Sequence, residues 1–502
     1  MNEIQLLYVE NVISRKKRVL QQTLSFFMRV ENLSHEKQCE VVWAGEDGGW
    51  FTLQASYHST LASNKEYWRA QITVLGSIAK SLPGNIIFAL RYQAQGKEYW
   101  DNNEGLNYSS HADSGIRVIT NQAIQNIGFE SRMLDGLKQL VVVVSVNHSI
   151  QPKAVTIHWT TDNWRHTHKT SCHFKRNYWE EAAAGSHARN PNQYGSTIWQ
   201  GILKIDSPFK VQYTISCECE DQVFWDNNQD NNYCLTHDPL RILILNLHCY
   251  QEDNQDYKFS QIAKAINDQQ ADIICLQEVA EPWNDGHGDW NSNSAKIIND
   301  RLNQPFYLYT DWSHKGFDKY REGVAILSRY PILNHSSKYV STSHSHDSIH
   351  SRKVVMAQVD VPCMGLINVY SAHLSWWDDG FSEQFKRLSK WASDNHTKDV
   401  KGTLLCGDFN ITAGSEGYNL VVNGNEYDDQ FLAANSQCVF EKIFKVNDHH
   451  WKDMLADDYR IDYIFMNKSS ELRITLGNVL FTDEDYGRVS DHCGYLMIFE
   501  PK

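Results

Sequence analysis

Residues 240–502 contain a run of segments in which an apolar stretch leads into a side chain able to act as acid, base or ligand. "RILILNLH" ends near Asn246, and "ADIICLQEV" ends on Gln277 and Glu278. "GLINVYSAHL" delivers His373, "TLLCGDFN" delivers Asp408 and Asn410, "RIDYIF" holds Asp462, and "VSDHCGYLMIF" holds Asp491 and His492. Polar groups at the ends of buried strands are costly unless they converge on a site. Their types fit one chemistry. Glu278 and Asp491, with Asp408 as a further candidate, offer hard oxygen ligands suited to Mg²⁺ or Mn²⁺, and no cysteine cluster points to zinc. Asp408 can orient or deprotonate a water. His373 and His492 can donate hydrogen bonds to a phosphoryl group gaining charge, and Asp462 can hold an imidazole protonated. Asn246 and Asn410 can anchor nonbridging oxygens. The set is equipped to hydrolyse a phosphate ester by in-line attack of water.

The elements that must position these groups differ between the two halves of the chain. At 502 residues, with 41% hydrophobic and 22% charged residues, the chain is globular and too long for one core. Residues 1–240 hold 22 Lys+Arg against 24 Asp+Glu, whereas residues 241–502 hold 25 against 37, a balance of −12. A domain that grips a polyphosphate backbone usually presents a basic field, so a nonspecific nuclease is disfavoured. No apolar run is long enough to span a membrane. The first residues place basic side chains after the apolar ones, the reverse of a secretory signal, so a cytoplasmic protein is expected. Eleven scattered cysteines fit reduced thiols. The stretch "HSHDSIH" at 344–350 reads as a histidine-bearing surface loop rather than a metal site.

In the first half, "YWDNNEGLNY" at 99–108 returns as "FWDNNQDNNY" at 224–233. Each copy follows alternating apolar residues and a short turn, and each has a tryptophan in an upstream loop, Trp50 and Trp164. A match of this kind marks a duplicated unit, and period-2 strands with short turns predict two all-β, immunoglobulin-like sandwiches of about 100 residues each. Flat aromatic rings pack the apolar face of a pyranose, and asparagine amides can read its hydroxyl edge. The alternative is that Trp100 and Trp225 are core and the asparagines hold turns.

Both halves resemble known families. "W-D-N-N-x-x-x-N-Y" after "F-A-L-x-Y-x-x-x-G-K-x-Y" is similar to the starch- and glycogen-binding modules of carbohydrate-binding family 21. The resemblance implies modules at 1–112 and 138–236, a linker at 113–137, and an α-glucan partner such as glycogen, starch or maltodextrin. The candidate sugar-binding residues are Trp50, Trp100, Asn102, Asn103, Asn107 and Tyr108 in the first copy. In the second they are Trp164, Trp225, Asn227, Asn228, Asn232 and Tyr233. The second copy departs from the pattern at Asp230 and carries an insertion, "WEEAAAGSHARNPNQYG", at 179–195.

The ordered series N…QE…H…GDFN…D…SDH over 240–502 resembles the endonuclease/exonuclease/phosphatase superfamily. That resemblance implies an α/β four-layer sandwich, two packed sheets flanked by helices. It implies Glu278 and Asp491 on metal, Asp408 activating water, Asn410 and Asn246 on the phosphate, His373 and His492 stabilising the transition state, and Asp462 orienting His492. Arg352 in "SRKVV" stands where relatives often keep a phosphate-contacting arginine. Superfamily members act on many phosphate esters, so fold does not name the substrate. "SAHLSWWDDG" after His373 places Trp376, Trp377, Asp378 and Asp379 at the expected pocket rim, which suits a sugar and repels a polyanion. Together with "LNLHCYQED" it is similar to bacterial members of the maltose-6'-phosphate phosphatase type. A phosphatase acting on a phosphorylated sugar or glucan is therefore expected, with a phosphodiesterase localised by its modules as the alternative.

Overall fold

The computed structural model describes residues 3–16, 19–34, 36–61, 64–76, 81–119, 122–128, 133, 136–147, 149–177, 193–228, 230–435 and 460–502. Most of the 179–195 insertion lies outside them. The chain divides into two compact units, 1–238 and 239–502.

The first unit is built almost wholly of antiparallel strands. Its first module has one sheet ordered Gly115–Val118, Ile4–Lys16, Val19–Glu31, Lys65–Leu75, Ser56–Leu61. A second sheet is ordered Trp50–Gln54, Lys37–Ala44, Ile86–Ala94, Lys97–Asp101, with Tyr108–Ser110 also on Ile86–Ala94. Alternation supplies the shared core, in which Leu24, Phe26 and Met28 of one sheet meet Val41, Phe88 and Leu90 of the other. The second module repeats the plan. Its sheets are Ile124–Asn126, Gln139–Asn147, Ser196–Lys204, His173–Asn177, and His168–Ser171, Ala154–Thr160, Lys210–Glu218, Val223–Asp226, with Tyr233–Thr236 on Lys210–Glu218. The segment 113–137, expected as a linker, supplies an edge strand to each module: Gly115–Val118 pairs with Ile4–Lys16, and Ile124–Asn126 pairs with Gln139–Asn147. Leu7, Phe27 and Tyr67 of the first module lie in one hydrophobic cluster with the second module's core.

The duplicated motif has the same strand pairing in both copies. Leu90 pairs with Asp101 and Phe88 with Tyr108; Ile215 pairs with Asp226 and Tyr213 with Tyr233. Asp101 is buried and accepts hydrogen bonds from the Leu6 amide at 2.7 Å and the Tyr108 hydroxyl at 2.8 Å. Asp226 does the same for the Asn126 amide at 2.6 Å and the Tyr233 hydroxyl at 2.8 Å. The aspartate thus ties the motif hairpin to the module's other sheet.

The second unit has two six-stranded sheets. One is ordered Tyr307–Gly316, Tyr320–Ser328, Ile273–Pro282, Leu240–Asn246, Gly494–Pro501, Leu472–Leu480. The other is ordered Ile332–Tyr339, Lys353–Val361, Gly365–His373, Val400–Asp408, Asp462–Asn467, Tyr427–Asp429. Each sheet has one parallel pair at its centre, Leu240–Asn246 with Ile273–Pro282 and Gly365–His373 with Val400–Asp408. Parallel neighbours need a crossover, supplied by helices Gln255–Asp268 and Phe381–Asn395. The first buries Phe259, Ile262 and Ile266 against Leu243, Leu245 and Ile274. The second buries Phe381, Phe385 and Leu388 against Val354, Tyr370 and Leu405. Between the sheets, the Gln277 amide donates to Ser371 Oγ at 3.0 Å.

Asp101→Ala leaves the Leu6 amide and the Tyr108 hydroxyl unsatisfied in the core, at about 1–3 kcal/mol for each. Calorimetry of the full chain is expected to show the first unit melting earlier, and Asp226→Ala to act alike; an unmoved transition would contradict the tie.

Candidate active site

The chemistry-bearing residues converge because strand register brings them to one end of both sheets. Asp408 ends its strand between two partners, His373 on the parallel neighbour and Asp462 on the antiparallel one. Across the gap, Asn246 and Gln277 end the parallel pair of the other sheet. Asn246 Nδ2 bridges the sheets, donating to Glu278 Oε1 at 3.0 Å and to Asp408 Oδ2 at 3.1 Å.

Two backbone features make the convergence possible. The register of Ile273–Pro282 shifts between Leu276 and Val279, and Glu278 sits there at φ 50°. This bulge re-aims its side chain into the cleft, a common use of bulges near sites. Gly407 has φ 128°, and a Cβ there would lie 2.2 Å from the Ala372 carbonyl oxygen and 2.7 Å from Gln277 Nε2. The glycine of "GDFN" is therefore required where the sheets approach.

Glu278, His373, Asp408, Asn410, Asp491 and His492 line a cleft of about 580 Å³ together with Arg352, Trp376, His248, His314, Glu322, Lys315, Phe317, Asp318, Asp347 and Ile349. The buried Asn246 and Asp462 reach them through hydrogen bonds. Asn410 stands at φ 50°; its amide N–H donates to Asp408 Oδ1 at 2.8 Å, and its side chain donates to the Leu374 carbonyl at 2.9 Å. His492 Nδ1 lies 2.7 Å from Asp462 Oδ2, and its Nε2 lies 3.8 Å from Asp408 Oδ2. His373 Nε2 lies 3.7 Å from the same oxygen. Arg352 Nε donates to Ser375 Oγ at 3.4 Å. Of the two expected rim tryptophans, Trp376 lines the cleft, whereas Trp377 packs toward Phe381 in the domain's own core. Asp378 and Asp379 are exposed on the short turn that follows.

The electrostatics divide the two histidines. Burial, with the Arg352 charge next in weight, holds His373 well below the usual imidazole range. Burial also opposes the charge on His492, but Asp462, Asp491 and Asp408 overcome it and hold that ring well above the range. Their neighbours push one imidazole toward the neutral form and the other toward the cationic form. Burial and then the Asp462 charge push Asp408 up to about 7, suited to taking a proton near neutral pH. Burial and the Glu322 charge push Glu278 up to about 8.

The donor set fits a hard divalent cation. Glu278 and Asp491 present carboxylates, and among the described residues neither forms an ion pair with lysine or arginine. Two ligand-capable groups, His248 with Glu252 and Asp491, and Asp408 with Asp462 and His492, each lie within 4.8 Å. Glu278 belongs to neither; Asn246, bonded to both Glu278 and Asp408, links it to the second.

His248, Glu252, His314 and Glu322 are not among the candidates expected from sequence. His248 Nδ1 lies 2.8 Å from Glu252 Oε1 and 3.6 Å from Asp491. His314 Nδ1 lies 3.1 Å from the Ser351 carbonyl and its Nε2 lies 3.3 Å from Glu322 Oε1. "NLH" carries His248 two residues past Asn246, a signal open to reading; His314 lies inside a strand pattern with no such mark. The "HSHDSIH" loop is a cleft wall through Asp347 and Ile349, while His344 stacks on Tyr339 and the His346 ring lies tilted against Trp312.

In the modules, the asparagines hold their own loops. Asn103 donates to the Asn107 carbonyl at 3.0 Å and Asn228 to the Asn232 carbonyl at 2.9 Å. Asn102 Oδ1 accepts from Gly105 N and Asn227 Oδ1 from Asp230 N. Tyr108 and Tyr233 are buried. Asn228 also accepts from Tyr67 Oη at 2.8 Å. Trp164 is half-buried, with φ 67°. Trp50, Trp100 and Trp225 stand in solvent at 51%, 43% and 55% exposure, with the Arg91 guanidinium over the Trp100 ring at 5.7 Å and the His158 ring 5.0 Å from that of Trp225.

Asp408→Asn is expected to abolish turnover with the fold intact, judged by circular dichroism. Glu278→Ala is expected to raise the metal concentration needed for activity, and excess chelator to stop the wild type. Because the Glu278 carboxyl is held near 8, a cation binding it at neutral pH displaces a proton, so affinity rises with pH up to about 8. Calorimetry in buffers of different ionisation enthalpy reads that proton; buffer-independent heats would contradict it.

Comparison with known proteins agrees with the geometry. The profile of the Endonuclease/Exonuclease/phosphatase family matches residues 245–492, and that of the Carbohydrate/starch-binding module (family 21) matches 3–111 and 121–236. The uncharacterized protein YbhP of Escherichia coli K12 is 28% identical over 205 residues, 39% of this chain and 76% of YbhP. Protein phosphatase 1 regulatory subunit 3E of Mus musculus is 36% identical over 81 residues, 16% of this chain and 28% of that protein. An endonuclease/exonuclease/phosphatase family protein from Leptotrichia buccalis has a solved structure with 27% identity and a TM-score of 0.45, covering 52% of this chain and 99% of that one. With the site and both matches in place, the chain carries an endonuclease/exonuclease/phosphatase family catalytic domain behind two family-21 carbohydrate-binding modules.

Proposed function

We propose that the protein is a divalent-metal-dependent phosphomonoesterase acting on a phosphorylated sugar, maltodextrin or glycogen, with its modules bound to the same α-glucan. The supporting observation is the charge of the cleft wall. Asp318, Glu322, Asp347 and Asp491 line it, beside the raised carboxyls of Glu278 and Asp408, against only Lys315 and Arg352 as permanent cations. A nucleic acid needs basic walls along its backbone, and this wall repels one. A single phosphoryl group can be met at the bottom of the cleft by Arg352 and the protonated His492.

Mg²⁺ or Mn²⁺ on Glu278 and Asp491, with Asp408 close by, would polarise the phosphoryl oxygens and neutralise the extra charge of a monoester. Asp408, held by Asn246 and the Asn410 amide, takes the proton of the attacking water. His492, kept cationic by Asp462, donates to a phosphoryl oxygen as charge builds there. His373, neutral, donates a hydrogen bond from the other side. Trp376 offers its indole to the sugar ring.

We extend the reading to architecture and setting. Each module is taken as an immunoglobulin-like sandwich and the catalytic domain as a four-layer α/β/β/α sandwich, since helices cover the outer face of each catalytic sheet. Buried thiols at Cys39, Cys172, Cys217, Cys249, Cys275, Cys406 and Cys493 fit a reducing cytoplasm. Trp50 and Trp100 of the first module and Trp225 of the second are the ring platforms for glucan, and tethering raises the local concentration of phosphorylated chain ends without new contacts in the cleft.

Two measurements test this reading. With Mg²⁺ present, kcat/KM for a sugar phosphomonoester is expected to exceed that for bis-(p-nitrophenyl) phosphate by about tenfold or more, roughly 1.4 kcal/mol of transition-state preference. DNA nicking without monoester activity would overturn it. Affinity electrophoresis in glycogen should retard the chain, and Trp50→Ala with Trp100→Ala should weaken retention by about 1–3 kcal/mol.

A further inference from the structure

The mouth of the cleft carries apolar groups that the chemistry above does not use. Phe317 and Ile349 line the cleft, yet each is 59% exposed. Phe317 sits at the tip of the hairpin joining Tyr307–Gly316 to Tyr320–Ser328, at φ 47°, with Asp318 beside it at φ 56°. A bulky residue in the left-handed region is an outlier, and such strain persists where surrounding structure imposes it. Glycine adopts that backbone without steric strain, whereas Phe317 holds a large, mostly exposed ring there at the cleft mouth.

The surroundings hold this tip in place. The Lys315 amide donates to the His346 carbonyl at 2.6 Å, joining the hairpin to the loop that bears Ile349. The His346 ring packs on Trp312 with centroids 4.1 Å apart, and His314 faces the Ser351 carbonyl at 3.1 Å. Trp376 lines the same cleft from the other sheet's segment. Polar groups flank the apolar ones: Lys315 Nζ lies 3.6 Å from Asp318 Oδ1, and Asp347 stands beside Ile349 in the wall.

We propose that Phe317 and Ile349, with Trp376, form the subsite that grips the ring of the phosphorylated sugar. Asp318 and Asp347 lie beside them to accept hydrogen bonds from its hydroxyls. A pyranose presents apolar C–H faces and a hydroxyl edge, which is the pattern of this mouth. A cleft of about 580 Å³ holds one or two such rings in addition to the phosphate. The acids at the rim disfavour a polyanionic occupant. This subsite makes the enzyme a sugar phosphatase rather than a general monoesterase, and it rests on the phosphomonoesterase reading.

The test compares glucose 6-phosphate with glycerol 3-phosphate, which carries the ester without a ring, using the full chain with Mg²⁺. Phe317→Gly keeps the left-handed turn and removes only the ring; Ile349→Ala is combined with it. The expected result is a fall of about tenfold in the kcat/KM ratio of the two esters, carried mainly by KM for glucose 6-phosphate. Phe317→Tyr should restore the ratio. An unchanged ratio, or equal losses on both esters, would overturn the subsite while leaving the phosphatase reading standing. A wild type that releases phosphate from neither ester would overturn both. Binding to sphingomyelin vesicles that is lost in Phe317→Gly, with the ring preference unmoved, would assign the apolar mouth to a lipid surface instead.

Discussion

Burying the Asp408 carboxylate at the meeting of two β-sheets is the constraint around which the catalytic domain is arranged. A charged group in that position is costly unless every lone pair has a partner. Asn246 reaches it from the opposite sheet, the Asn410 amide caps it from its own strand, and His373 and His492 stand within 4 Å. Those partners can be close only if the sheets approach closely, and Gly407 is what allows it, since any side chain there meets Ala372 and Gln277. The same burial sets the acidity of the group. A carboxyl that would ionise near 4 in water is held near 7, where it can accept a proton from water at the pH of a cell.

Opposite shifts in the acidity of two histidines follow from the same geometry. His492 is surrounded by Asp462, Asp491 and Asp408, whereas His373 faces Arg352. Neither shift belongs to the residue type. Each is produced by which strand end lies next to which.

The paired modules reuse one hydrogen-bonded unit twice. A buried aspartate joins the motif hairpin to the facing sheet, its tyrosine completes the carboxylate's hydrogen bonds, and asparagines fold the loop between them. Because this unit accounts for the aspartate, the asparagines and the tyrosine, the tryptophan is left as the group turned to solvent. Packing between the modules then separates the copies: Asn228 is engaged by Tyr67, while its counterpart Asn103 remains exposed.

Sequence alone determined the duplication, the alternation of apolar strands and the series of polar strand ends, because each is a local pattern with its own period or spacing. The candidate site was legible as a cluster since Asn246, His373, Asp408 and Asp462 end or begin strands whose apolar runs are plain, and Asp491 and His492 stand just before the last one. What the tertiary structure decided were the relations between distant segments. Trp376 and Trp377 are adjacent and alike in sequence, yet only packing against Phe381 turns one inward while the other lines the cleft. The segment 113–137 lacks a long apolar pattern, but the unpaired edges of two sheets recruit its short strands. The tip at Phe317, the loop at Ile349 and the His314–Glu322 pair carry no motif, and they enter the cleft because a hairpin and a loop far apart in the chain are joined there by a backbone hydrogen bond. Spacing along the chain reports periodicity and strand ends; which groups share a dielectric environment is a property of the folded surface, and charge, acidity and exposure are fixed only there.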